Sequence, residues 1–358
     1  MCCRSLLQAA VLLPFLYTSA SAQNACNNSP SLCSKAYNNI TQLGSHNSPF
    51  LRDASTSFST SGNQYYNSTV QLEAGVRLLS AQVHKTNESG TEAWHLCHSS
   101  CDLLDAGSLT SWLTEIKTWM DSNTNDVVTL ILVNSDDASG ADLGAQFHSS
   151  GIEKYAYTPP TNATRPKSWP TLDSLIGNNT RLMTFVASLS QASSEASYLM
   201  DEFTFLFEND YENTSPSNFS CNPSRPASLG TPTAALDSGR MFLMNHFLYE
   251  TQAFGIQAPN ASYAHVTNAQ TGVGSLGESI TACTAVYAKP PNVVLVDFFN
   301  MGPAVAAVDA ANGVSGAVGR KQVSTAALSQ SSAGTSGMAG GSLFAVAVAL
   351  VVAFALVA

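Results

Sequence analysis

Eight short runs of apolar and β-branched residues recur along this chain, at 40–46, 76–84, 127–133, 155–157, 182–189, 203–207, 241–247 and 293–299. Helical or turn-forming segments separate them, and alternation of that kind argues for an α/β fold with a parallel sheet. Eight is the number of strands that a parallel barrel closes with. The run at 155–157 is the weakest, being very short and set just before Pro159-Pro160. Leu109, Trp112, Leu113, Ile116, Trp119 and Met120 repeat at the three-and-four spacing of a helix with one apolar face. A second helix is expected over 276–288, and a third from Pro303, a residue suited to a first helical turn. The Asn-, Ser- and Pro-bearing stretch 208–237 reads as a long loop.

The two ends have different characters. Arg4, an apolar core over 6–17 and the small residues Ala20-Ser21-Ala22 make a signal peptide of 1–22, with the mature chain starting at Gln23. At the other end, 324–342 is rich in Ser, Gly, Ala and Thr, and 343–358 is apolar without a charge. That order is the pattern for exchange of the tail for a GPI anchor, with Ser331, Ser332 or Gly334 as attachment residue. A tail-anchored helix fits less well, since the tail falls short of about 20 residues and has no basic flank. The expected organisation is a leader over 1–22, one barrel domain over 23–312, a stalk over 313–334 and an attachment propeptide over 335–358.

Cysteine usage agrees with an oxidising compartment. Of eight Cys, Cys2 and Cys3 leave with the leader, and an even six remain. Cys26 with Cys33 and Cys97 with Cys101 are close enough in sequence to pair locally, leaving Cys221 with Cys283. N-glycosylation acceptors stand at Asn39, Asn67, Asn87, Asn162, Asn178, Asn218 and Asn260; Asn27 and Asn213 have a Pro just after the site and are expected to stay bare. The net charge of −10 and the lack of any basic run exclude nucleic acid as an expected partner.

Two histidines fall where a barrel builds its active site. His46 ends the first apolar run in Gly44-Ser45-His46-Asn47, and His98 sits in Cys97-His98-Ser99-Ser100-Cys101, where a disulfide would restrict it. A serine hydrolase lacks support because there is no Gly-X-Ser-X-Gly elbow, and His95 with His98 lacks the spacing and acidic partner of a zinc helix.

These segments, with Ala74-Gly75-Val76-Arg77, the helix followed by Asp126-Val127-Val128-Thr129-Leu130, and Val294-Leu295-Val296-Asp297-Phe298, occur in an order that resembles the phosphatidylinositol-specific phospholipase C X-domain superfamily. The likeness is greatest to its fungal secreted branch of PLC-like phosphodiesterases. The resemblance implies a distorted TIM (β/α)8 barrel and a phosphodiester lipid head group as substrate, with no cofactor. It implies His46 as general base, His98 as general acid and Asp297 as the carboxylate that orients His46.

The chain also departs from the family. At period two Leu78, Ser80, Gln82 and His84 share the face that the resemblance turns into the barrel. Bacterial members carry an Asp and a phosphate-binding Arg where this chain has Ser80 and Gln82, and eukaryotic signalling members carry acidic calcium ligands. Asn47 matches a calcium-ligand Asn in type, yet Ser80 and Gln82 bring no carboxylate, so no metal is expected. His84 is the nearest substitute for the missing cation, Lys85 should point outward, and Arg77 has the wrong parity. Asn245, His246, Glu208, Asp210 and Tyr211 are further candidates to line the pocket. Two functions follow: a metal-independent phosphodiesterase, or a barrel that has lost turnover and binds at the cell surface or wall. Convergence of His46, His98 and Asp297 with a cation in reach favours the first; burial of His98 under its own disulfide loop favours the second.

Overall fold

The computed structural model describes residues 25–329, apart from 89, 163, 190, 253 and 254. The leader and the residues expected to carry the anchor, Ser331, Ser332 and Gly334, lie outside the described residues. The strands are β1 (Gln42–Ser45), β2 (Leu78–Glu88), β3 (Thr91–Cys97), β4 (Asp105–Ser108), β5 (Val128–Asn134), β6 (Leu182–Ala187), β7 (Leu199–Asp201), β8 (Leu206–Glu208), β9 (Met241–Asn245), β10 (Tyr249–Thr251), β11 (Gln257–Pro259) and β12 (Val293–Val296). Eight of them pair in parallel in the order β7-β6-β5-β2-β1-β12-β9-β8. The sheet curls into a distorted (β/α)8 barrel left open between β7 and β8, which the one-turn helix Glu202–Phe205 connects. The outer half of β2 runs past the barrel and pairs antiparallel with β3, which returns the chain to the rim.

Side-chain parity sorts the core into two layers. Leu78, Ile131, Met183, Phe185, Leu243 and Leu295 pack together inside the barrel. Their strand neighbours Leu79, Leu130, Val186, Met244 and Val296 face outward onto the covering helices. Alternate burial on both faces is what a parallel sheet under helices requires. The helix Leu109–Ser122, capped by the Ser108 side chain, buries the six residues expected of its apolar face. The helix Leu276–Tyr287 follows an equivalent Ser275 cap. Pro303 takes the cap position just before the helix Ala304–Asn312. Under the barrel, Tyr37 packs against Trp169 with ring centroids 5.3 Å apart. Its hydroxyl donates to Thr129 Oγ1 at 2.8 Å, which donates in turn to Gln42 Oε1. Burial pushes that phenol up to about 12.

Two of the expected strands are corrected. The run at 155–157 is not a strand: Ile152–Tyr155 forms a single 3-10 turn, and only Ala156 makes an isolated bridge to Leu182. The stretch 203–207 begins as the helix Glu202–Phe205, and β8 starts at Leu206. The eighth position in the barrel is supplied by β7, whose three residues are too few to show any period. The loop 208–237 is pinned rather than free, by the Cys221–Cys283 disulfide and by a bridge from Glu208 to Arg225. The other two disulfides join Cys26 to Cys33 and Cys97 to Cys101.

The boundary at 313 also moves. Residues beyond Gly313, expected as a stalk, lie against the barrel: Val318 N–H donates to Asn28 O, Arg320 pairs with Asp309, and Lys321 N–H donates to Glu73 O. Backbone groups placed by specific partners cannot belong to a free tether.

Gly44 lies where β1 passes closest to its neighbours. A Cβ there would meet Leu295 Cδ2 at 2.6 Å and Leu78 Cδ2 at 3.0 Å. We expect Gly44→Ala to lower stability by about 1–3 kcal/mol through overpacking, read as a lower urea midpoint with an unchanged slope.

Candidate active site

The C-terminal ends of β1 and β12 lie side by side, so the residues just after them, His46 and Asp297, meet across 251 positions of sequence. His46 Nδ1 lies 2.9 Å from Asp297 Oδ1. Asn63 Nδ2 donates to the same oxygen at 2.9 Å. Since Asn63 Nδ2 also lies 3.3 Å from His46 Nδ1, two donors share one carboxylate, and the proton on His46 sits on Nδ1. Nε2 is then left as the basic nitrogen. Phe247 stacks on the His46 ring at 3.8 Å between centroids, only 4° from parallel. Gln64 fixes the backbone beneath: its Nε2 donates to His46 O and Val296 O, and its Oε1 accepts from Phe299 N.

His98 enters from β3. The Cys97–Cys101 bridge closes its loop, its N–H donates to Leu104 O, and its ring meets the edge of Phe50 at 5.4 Å. The side chain is buried, and burial, followed by the charge of His46, depresses its pKa to about 4. Gln82 joins the two halves: its Oε1 accepts from Ser99 N at 2.9 Å, and its Nε2 donates to Asn47 Oδ1 at 3.3 Å. The Asn47 amide is thereby oriented with Nδ2 away from Gln82, while its backbone N–H donates to Ser80 Oγ.

Several buried polar atoms here lack a protein partner: Asn47 Nδ2, Asn63 Oδ1, His84 Nε2, His98 Nδ1 and Asp297 Oδ2. Each such group costs about 1–3 kcal/mol if left unsatisfied. Their gathering at one end of the barrel suits a polar occupant able to accept and donate hydrogen bonds. His84 itself is turned toward Asp136, with Nδ1 3.3 Å from Oδ2.

A second cluster lies beyond Phe247. Arg225 pairs with Glu208, and its guanidinium covers the Tyr211 ring at 4.4 Å. Asn245 Nδ2 donates to Glu208 Oε2 at 3.3 Å. Tyr249 meets the edge of Phe247 at 5.7 Å, and its phenol is raised first by burial, then by Asp297 and Tyr211. Tyr249 thus links this cluster to the His46 side. Arg225 brings to this end a cation that was not among the substitutes considered for Ser80 and Gln82.

A family model described as PI-PLC X 1 matches residues 32–312. The chain belongs to the PI-PLC X family. It is 37% identical over 309 residues to a PI-PLC X domain-containing protein 1 of Arthroderma benhamiae, covering 85% of this chain and 96% of that one. A second protein of that organism, named an uncharacterized secreted protein, is 38% identical over 77% of this chain and 60% of its own length. Among solved structures, a phosphatidylinositol-specific phospholipase C of Staphylococcus aureus superposes with a TM-score of 0.53 at 14% identity, over 82% of this chain and 99% of that one. At that identity the likeness shows the barrel alone.

Of the expected residues in this PI-PLC X barrel, His46, Asp297, His98, Asn47 and Gln82 come together, and Glu208, Tyr211 and Asn245 form the adjoining cluster. His246 does not join them: it is buried against Phe219 with Nε2 bonded to Thr267 O. Asp210 accepts from Glu212 N in a local turn. Lys85 points outward to Glu92. Arg77 lies at the opposite end of the barrel, held by Asp126, Asn28 and two carbonyls beside a cavity of about 430 Å³. That cavity is roomy, yet it sits under the N-terminal strand ends, where conservation of stability rather than catalysis is the rule for such barrels. Sequence reasoning missed Asn63, Gln64, Phe247 and Arg225. The first two carry only amides, Phe247 reads as core, and Arg225 stands in a Ser- and Pro-containing loop.

His98 supplies a pH test. Its folded pKa of about 4 lies below the ordinary 6.5. As pH falls through 6.5 the unfolded chain takes up a proton that the folded chain resists, so stability is lost progressively down to about pH 4. We expect the urea midpoint to drop between pH 7 and pH 5 by less in His98→Asn than in the parent. An equal drop would show that His98 does not resist protonation.

Proposed function

We propose that the protein is a secreted phosphoric diester hydrolase that cleaves an inositol-lipid or related phosphodiester by two-histidine acid–base chemistry, without a metal ion, held at the outer cell surface by a GPI anchor. The observation that carries this reading is the His46–Asp297 pair at the mouth of a PI-PLC X barrel, with the His98 loop tied through Gln82 to Asn47, the neighbour of His46. His46 Nε2 takes the proton of the inositol 2-hydroxyl as that oxygen attacks phosphorus. The bond from phosphorus to the lipid oxygen breaks, and His98 gives its proton to the leaving alkoxide. The products are a cyclic inositol phosphodiester and a lipid alcohol. Asp297 stabilises the imidazolium formed at His46.

His98 must carry a proton at the start of this sequence, which burial alone opposes. A phosphodiester anion beside it favours the charged form. Asn47 Nδ2 is a donor for a non-bridging oxygen, and His84 Nε2 is a second one when its ring carries both protons, with Nδ1 on Asp136, in place of the cation that family members supply. Arg225 on Tyr211, with Glu208 and Asn245, suits the hydroxyls of a head group. Metal independence is supported by Asn47 Oδ1 being taken by Gln82 Nε2, with no carboxylate at Ser80 or Gln82.

Secretion is supported by the leader and by the relative named as secreted. N-glycans suit the exposed Asn39, Asn67, Asn87, Asn178 and Asn218, with Asn162 and Asn260 half-buried, whereas Asn27 and Asn213 are buried. One observation favours the second reading, a surface or wall binding protein without turnover: His98 is only 5% exposed beneath its disulfide loop.

The test is incubation of the mature chain with phosphatidylinositol vesicles, followed by phosphorus NMR with and without chelator. We expect a cyclic phosphate that survives chelation. His46→Ala, His98→Ala and Asp297→Asn should each lower the rate on the order of 10²–10⁴-fold. No product from folded protein across inositol lipids would establish the non-catalytic barrel.

A further inference from the structure

The segment after the last helix has a defined path. Asn312, at the foot of the barrel, brackets Thr41 with two bonds, accepting from its N–H and donating to its carbonyl, each 2.8 Å. The chain then crosses that end through Val318, bonded both ways to Asn28, and Arg320, whose guanidinium holds both carboxylate oxygens of Asp309. Lys321 bonds to Glu73, just before the turn into β2. A few residues later the chain is at the other end: Asn300 Nδ2 donates to Ser324 O at 2.9 Å and to Ala326 O at 3.3 Å. Leu328 packs against the cluster of Tyr65, Ala264 and Phe298, which adjoins Gln64 and Asp297 in sequence. The five steps from Lys321 to Ala326 reach roughly 17 Å when extended, about the height of a five-residue strand. Residues 314–328 therefore form a strap that climbs the outside of the barrel from foot to mouth.

The mouth carries apolar side chains that the body does not cover. Leu103, in the loop after His98, is 48% exposed; Ile256, in the β10–β11 hairpin, is 45%; Val273, before the helix Leu276–Tyr287, is 73%. All three stand on loops that follow C-terminal strand ends. Among the described residues, the other large exposed apolar side chains are Leu236 and Val286, near the C-terminal ends of helices that feed β9 and β12 from the foot.

We propose that the strap makes the lipid anchor leave the body at the active-site mouth, so that the opening and its rim of Leu103, Ile256 and Val273 rest on the bilayer that holds the anchor. Substrate is then taken from that same membrane, in cis. The inference rests on the anchor reading, under which attachment at Ser331, Ser332 or Gly334 leaves two to five residues beyond Ser329. Five residues span at most about 18 Å. A tether that short, starting beside the cluster of Tyr65, Ala264 and Phe298, keeps the anchor nearer to the mouth than to the foot.

The test uses the full chain, processed by a host cell, recovered with its membrane and reconstituted into phosphatidylcholine vesicles containing brominated acyl chains. Tryptophan is placed singly at exposed positions by Leu103→Trp, Ile256→Trp and Val286→Trp, and emission is compared with the parent. We expect the added emission of the first two to be lost to bromine and that of the third to be kept. Partition of the parent chain into the aqueous phase on detergent extraction would overturn the anchor reading and this proposal with it. A membrane-bound chain in which Trp at 103 and 256 keeps its emission, or only Trp at 286 loses it, leaves the anchor standing and overturns the orientation.

Discussion

The side-chain amides of Asn63 and Gln64 are the stitches on which the site depends. Parallel pairing brings the ends of β1 and β12 together, but a strand ladder ends at its last hydrogen bond and leaves the following residues to loop sterics. Gln64 takes over at that point, tying His46 O, Val296 O and Phe299 N to one side chain. Asn63 does the same for the carboxylate that meets His46. A histidine–aspartate pair whose members are far apart in sequence is thus held by a segment near the first of them, so the geometry survives without either residue lying in a strand. Preorganisation of this kind is what acid–base catalysis requires, since a group placed loosely transfers protons slowly.

Polarity at the mouth is arranged by amides and imidazoles rather than by a fixed cation at Ser80 or Gln82. Gln82 spans from Asn47 to the His98 loop, so one neutral side chain orients a donor and positions the acid together. One positive charge near the mouth, Arg225, is compensated by Glu208 and set over Tyr211. Burial lowers its charged form's stability, and Glu208 with Glu202 more than offsets this. Glu202, fully buried beside Glu208, is itself pushed well above the usual carboxylate range by burial and by that neighbour.

The two ends of the barrel divide the work. At the foot, Tyr37, Trp169 and the Arg77–Asp126 pair close the interior with satisfied hydrogen bonds. At the mouth, polar atoms stand without protein partners and apolar side chains face outward. The strap crosses from one to the other, so the described chain ends on the side where His46, His98 and Asp297 stand.

The apolar runs determined the barrel, because burial on both faces of a parallel strand leaves a mark that any eight such runs share, and seven of the eight expected runs hold all or part of a barrel strand. His46 and His98 stood out because each was expected at a strand end, where a barrel builds its site; Asp297 was named only through the family resemblance, since a strand-end acid reads equally as the cap of the next turn. Cysteine spacing was enough for the three disulfides. The three-residue β7 escaped, since a stretch that short has no period, and 155–157 looked like a strand on composition that a 3-10 turn also tolerates. Asn63, Gln64, Phe247 and Arg225 were invisible because amide, aromatic and loop residues acquire a role only from what stands opposite them. The strap was hidden by small, polar composition, which describes a tether equally well. Only the tertiary structure, by supplying Asn28, Glu73 and Asn300 as partners for its backbone, decided that this segment is part of the body and that it ends beside the active site.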